Sequence, residues 1–239
     1  MKNSKKLLRL TVFAILVALG VVISPILRVE GMCPMAHFIN IICSVLLGPW
    51  CSLLCALTIG IIRMSLMGIP PIALTGAIFG AFLSGVFYRI SKGNLLVAVL
   101  GEVFGTGIIG AVLSYPVMTM FWGKEGISWV FYIPSFVCGT LIGGSIAFAF
   151  LKKLSNSGML KKFQTALASR VYDDRTGLVG NTLAIASGGV ICFTVIGVLK
   201  NMFSLSSAIW TYVSYILLVG FLLGAVTCFV LKKAGNKNA

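Results

Sequence analysis

The stretch HFINIICSVLLGPW, residues 37–50, decides how the chain is read. Its middle is apolar enough for lipid, yet it opens on the single histidine of the chain, with an asparagine three residues later. Hydrocarbon offers no partner to an imidazole or a carboxamide, so both side chains must turn toward protein. The closing Gly48-Pro49-Trp50 breaks the run sharply and predicts a tight hairpin into the next apolar segment.

Outward from this stretch the chain keeps the same character. Of its 239 residues, 59% are hydrophobic and 10% charged, and the mean hydropathy is +1.06. Apolar runs and breakers predict eight helices, near residues 7–26, 35–48, 51–68, 71–88, 95–121, 128–151, 178–199 and 207–231. Many reach the roughly 20 residues that cross a bilayer. The expected class is therefore an all-α integral membrane protein. The first residues, MKNSKKLLRLTVFAILVALGVVIS, imitate a signal peptide, but the following PILRVEG has no small-x-small cleavage site, so a retained first helix is expected.

A net charge of +14 would suggest nucleic acid in a soluble protein. Here the cations sit in short clusters between apolar runs, without interleaved aromatics, and no nucleic-acid partner is expected. With the amino terminus inside, the inner segments hold fifteen of the 19 Lys and Arg, and the outer segments hold Arg28, Lys124 and Lys200. Arg63 falls inside a helix. That asymmetry predicts a multi-pass protein of the cell membrane with both termini cytoplasmic.

The longest polar stretch joins the sixth and seventh helices. Within it Leu160, Phe163, Leu167 and Val171 recur three or four apart, opposite Lys161, Lys162, Gln164 and Arg170. Such a pattern fits a basic amphipathic helix on the inner leaflet, and equally a linker. The expected organisation is a six-helix block over 1–152, a linker over 153–177 and a two-helix extension over 178–239. Glycines spaced by four (76/80, 101/105, 139/143, 220/224) predict close helix approaches.

The residues that carry function are the polar ones at membrane depth: His37, Asn40, Arg63 and Glu102. Ionisable groups there cost roughly 2.5–3.5 kcal/mol, so they face the interior and have a partner or a role. At ~1.5 Å per residue, Glu102 lies roughly 10 Å and Arg63 roughly 18 Å from the inner end of its helix, a difference a long arginine can span. A Glu102–Arg63 pair, structural or ligand-contacting, is one expectation. Glu102 and Thr106 share a stripe on the fifth helix, which carries Tyr115 near its outer end. Aromatics with a few convergent polar groups suit a small heterocycle, although an aromatic belt explains Trp122, Trp129 and Tyr132 equally well.

Enzymatic patterns are missing. One histidine and one carboxylate in the spans supply no Ser/His/Asp set, no zinc site and no paired-carboxylate dyad. The seven cysteines (33, 43, 51, 55, 138, 192, 228) have no ligand spacing and read as small packing residues. No catalytic residue, metal or cofactor is expected. No Walker A motif occurs either, so energy for active transport would have to come from an ion gradient or a partner protein.

Three stretches, HFINIICSVLLGPW (37–50), GAIFGAFLSGVFYR (76–89) and above all GEVFGTGIIGAVLSYPV (101–117), resemble the ThiW family. Members of that family are S components of energy-coupling factor (ECF) transporters, associated with the thiazole half of thiamin. The resemblance covers roughly residues 8–152. Ala14-x-x-x-Ala18 is similar to the small-residue motif by which S components dock on the shared T component. The resemblance implies a six-helix subunit that captures a vitamin precursor, hydroxyethylthiazole or a close relative, from outside. It would release its load inward with a T component and two cytoplasmic ATPases. His37, Asn40, Arg63, Glu102, Thr106 and Tyr115 would bind substrate, with Tyr115 as an aromatic wall, and Ala14 and Ala18 would dock the partner. Residues 153–239 have no counterpart in the family pattern. The rival expectations are a stand-alone proton-coupled carrier titrating at Glu102, and a membrane scaffold without a small ligand.

Overall fold

A computed structural model describes residues 2–26, 32–172 and 208–235, together with isolated helical positions between 182 and 196. All regular elements among the described residues are helices. They are α1 (Lys2–Ile23), α2 (Pro34–Leu47), α3 (Pro49–Met67), α4 (Ile72–Ile90), α5 (Leu95–Trp122), α6 (Ile133–Asn156), α7 (Met159–Ala166) and α8 (Ala208–Gly235). Six of these, all except α2 and α7, are long and apolar enough to cross a membrane. The expected boundaries hold to within a few residues, apart from α1, which starts at Lys2 rather than about 7, and α6. Its start moves from about 128 to Ile133, because Pro134 has no N–H to donate and fits the first turn of a helix rather than its interior. The expected helix over 178–199 lies largely outside the described residues.

The second helix departs most from an ordinary span. Its 14 residues rise only ~21 Å, short of the ~30 Å hydrocarbon layer. Eleven of its residues are buried, as expected of a helix that is apolar all round. It packs against α1, α3, α4 and α6, and so forms the centre of the bundle. Ile39, Ile41, Val45 and Leu47 are almost fully buried there. The hydroxyls that face it are paired: Ser44 Oγ lies 2.9 Å from Ser84 Oγ, and Ser52 Oγ donates to the Asn40 carbonyl at 2.8 Å.

Because α2 ends inside the protein, its last carbonyls cannot rely on water. Arg9 of α1 donates to the Leu47 carbonyl at 2.6 Å, and Gln164 of α7 donates to the Val45 carbonyl at 3.1 Å. Gly48 follows with φ +93°, a conformation that disfavours any side chain. A Cβ on Gly48 would also collide with the Arg89 guanidinium, so the turn into α3 needs a glycine twice over.

The small-residue spacing is borne out along α4 and α5. A Cβ on Gly101 or Gly105 would come within 3 Å of the α4 backbone. The glycines at 139 and 143 bring α6 equally close to residues 32–37. Gly220 of α8 differs, with nothing within 4 Å of a Cβ placed there. Midway along α5, Gly105–Gly110 forms a π-helical turn, a feature found mostly at functional sites.

The amphipathic segment corrects the expected stripe. Leu160 and Leu167 are buried as expected, but Phe163 and Val171 are 43% and 44% exposed. Gln164, expected on the solvated face, is buried and donates to Tyr88 Oη at 3.0 Å as well as to Val45. The helix stops at Ala166 and the chain breaks at Ala168 (φ +51°), so Val171 is no longer in helical register. Beyond the break, the Tyr172 ring meets Tyr88 edge-on at 5.4 Å.

Replacing Gln164 with alanine removes the donor shared by Val45 and Tyr88. The expected cost is about 1–3 kcal/mol, read as a lower thermal midpoint of the purified protein. Phe163→Ala, at an exposed position of the same helix, should leave the midpoint nearly unchanged.

Candidate binding site

The site is built where α2 begins. His37 and Asn40 project from one face at i, i+3 spacing, as the sequence predicts, and both are at least 95% buried. Opposite them on α5 stands Glu102, with no exposed surface. Its Oε1 accepts from Asn40 Nδ2 at 3.0 Å and from Thr106 Oγ1 at 3.3 Å, and lies 2.9 Å from His37 Nδ1. Nδ1 and Oε1 share this third contact, which leaves Nε2 as the open edge of the ring. Gly80 of α4 makes room for the carboxylate: a Cβ there would sit 2.8 Å from Glu102 Cδ and closer still to Thr106 Oγ1.

The other oxygen, Glu102 Oε2, is buried with no hydrogen-bond partner among the described residues. The expected pair with Arg63 does not form. α3 packs on α1, α2 and α4, whereas α5 packs on α2, α4 and α6, so α2 and α4 stand between the two side chains. The carboxylate is instead taken up by the polar residues of α2, which lie one helix nearer.

Arg63 and His37 meet in a different place. Both line a partly open recess of about 500 Å³, counting its mouth, at the end of the bundle that carries the α3–α4 connection. Met32, Ile69, Ala77 and Phe136 complete much of its wall. The mixture of apolar wall with two polar groups is typical of small-molecule sites. Asn40, Glu102 and Thr106 do not line the recess; they stand behind His37 and hold it in place.

Tyr115 is not brought to this recess. Its ring packs on Trp129, 4.5 Å between centroids. The aromatic wall is Phe136, which sequence reasoning missed. A signal existed in Gly76, whose missing side chain leaves the slot that the Phe136 ring fills, at 2.8 Å from a would-be Cβ. Ala14 and Ala18 do not line the recess; they are exposed on α1 along an apolar surface groove bounded by Phe13, Val17, Thr58 and Ile62.

A family model described as thiamine-precursor transporter protein (ThiW) matches residues 10–157, which spans α1 to α6. No curated protein and no solved structure matches the chain.

The space beside Glu102 gives a test of the network. Gly80→Ala should destabilise the protein by about 1–3 kcal/mol, because the added methyl must displace the carboxylate or Thr106. Gly220→Ala, in open space on α8, should shift the thermal midpoint by less than about 0.5 kcal/mol equivalent.

Proposed function

The chain belongs to the thiamine-precursor transporter family ThiW, and on that premise we propose that it is the substrate-binding S component of an ECF-type importer for hydroxyethylthiazole or a close thiamin precursor. The observation that carries this reading is the recess with His37 and Arg63 in its wall, the imidazole oriented from behind by Glu102. A thiazole ring offers two apolar faces and a few polar atoms. Phe136, Ile69 and Met32 suit the faces, while Arg63 and His37 Nε2 suit the polar atoms. Asn40, Glu102 and Thr106 act here as positioning residues.

The end opposite the recess gathers Lys5, Lys6, Arg89, Lys92, Lys152 and Lys153, which supports placing it in the cytoplasm with the recess facing outward. In this reading Ala14 and Ala18 form the dock for a T component, which with two cytoplasmic ATPases drives release inward. A second reading, a proton-coupled carrier, is favoured by one feature, the His37–Glu102 contact inside the bundle. Uptake by cells lacking a T component and ATPases, and its collapse with a protonophore, would select it.

Two measurements test the main reading. Hydroxyethylthiazole should bind the purified protein, and replacing both His37 and Asn40 with alanine should weaken binding about 10-fold, one lost ligand hydrogen bond at ~1.4 kcal/mol, since Asn40 acts only through the carboxylate that positions the imidazole. Unchanged affinity in that double variant would falsify the site. Replacing Ala14 and Ala18 with leucine should abolish uptake in cells while leaving the dissociation constant within about threefold, since binding and docking use different faces; normal uptake would remove the docking role.

A further inference from the structure

The recess contains a guanidinium that has no acceptor among the described residues. Arg63 is 4% exposed, makes no hydrogen bond or ion pair with any described residue, and its Nε is buried without a partner. Among the described residues, no carboxylate lines the recess. Glu102 is turned toward His37, Asn40 and Thr106, and Glu125 is exposed on the connection between α5 and α6.

A buried cation without a partner costs several kcal/mol. A lysine could relieve that cost by losing its proton, but a guanidinium stays charged. Its planar fork matches the paired oxygens of a carboxylate or a phosphate, and such bidentate, charge-assisted hydrogen bonds are about twice as strong as neutral ones. A neutral alcohol satisfies one donor and leaves the charge in place. His37 Nδ1 is committed to Glu102, and Nε2 lies 3.6 Å from where a Cβ of Gly139 would sit, beside Met32 and Cys33 of the recess.

We infer that the preferred ligand of the recess is an anion: a small heteroaromatic ring bearing a carboxylate or a phosphate monoester, with the oxyanion held by Arg63. This rests on the thiazole reading above and narrows it. The alcohol is then the weaker ligand, and Arg63 is the residue that sets specificity between neutral and charged forms of one ring.

The test is isothermal titration of the purified full chain with three probes: hydroxyethylthiazole, its phosphate monoester and thiazole acetic acid. At least one anion should bind about 10- to 100-fold tighter than the alcohol, the range expected for gaining charge-assisted hydrogen bonds. Which anion wins identifies the oxyanion. Arg63→Gln should erase that advantage, weakening the better anion at least about 10-fold more than the alcohol, and Arg63→Lys, which keeps charge without the fork, should retain part of it. The inference is overturned if wild-type protein binds the alcohol as tightly as both anions, or if Arg63→Gln weakens all three probes alike. Alcohol binding without any anion preference defeats this inference alone, whereas no binding of any probe defeats the thiazole reading with it. The wild-type comparison decides the matter even where a variant fails to fold.

Discussion

Three polar side chains converge on one carboxylate oxygen of Glu102, and two of them belong to α2. That convergence allows a helix with an imidazole and a carboxamide in its first turns to be surrounded by other helices. Burial of α2 then dictates much else. Its neighbours must approach closely, which the glycines of α6 permit, and its ends must be capped by protein rather than water. The same carboxylate fixes the imidazole ring, so one interaction serves both the packing of the bundle and the preparation of the recess.

The capping of α2 also ties distant parts of the chain together. Arg9 reaches across from α1, and Gln164 from a helix more than a hundred residues further on. A glutamine in that place reads as a solvated residue of an amphipathic helix, and its i, i+3 neighbour Leu167 and i, i−4 neighbour Leu160 show why it is not: all three point into the bundle. A buried polar side chain with satisfied partners specifies one docking geometry, where an apolar face alone would tolerate several.

Much of this was legible in the sequence, because the signals were strong ones. Hydropathy and breakers located the helices, and Gly48-Pro49 located the hairpin. The scarcity of polar residues in the spans singled out His37, Asn40, Arg63 and Glu102, and the matched family model agrees with the resemblance carried by residues 37–50, 76–89 and 101–117. What was not legible depends on which helices are neighbours. Depth along the helix axes made Glu102 and Arg63 compatible, but depth is one coordinate, and α2 and α4 stand between them. Phe136 was missed for the same reason, since only the pairing of α6 with Gly76 turns an ordinary apolar residue into a wall. The 14-residue length of α2 was legible too: its apolar run is a span in composition and too short in length.

That shortness has an electrical consequence. From Asn40, just behind the recess, to Leu47 at the other end of α2 is seven residues, or ~10 Å of packed protein where the surrounding lipid is ~30 Å thick. In the proposed orientation the recess shortens the packed path across the bilayer, so the voltage falls more steeply over α2 and the layer that caps it than along the surrounding lipid. A charge held at Arg63 sits at the edge of that steep gradient, so its energy responds to the membrane potential although the residue lies on the open side of the partition.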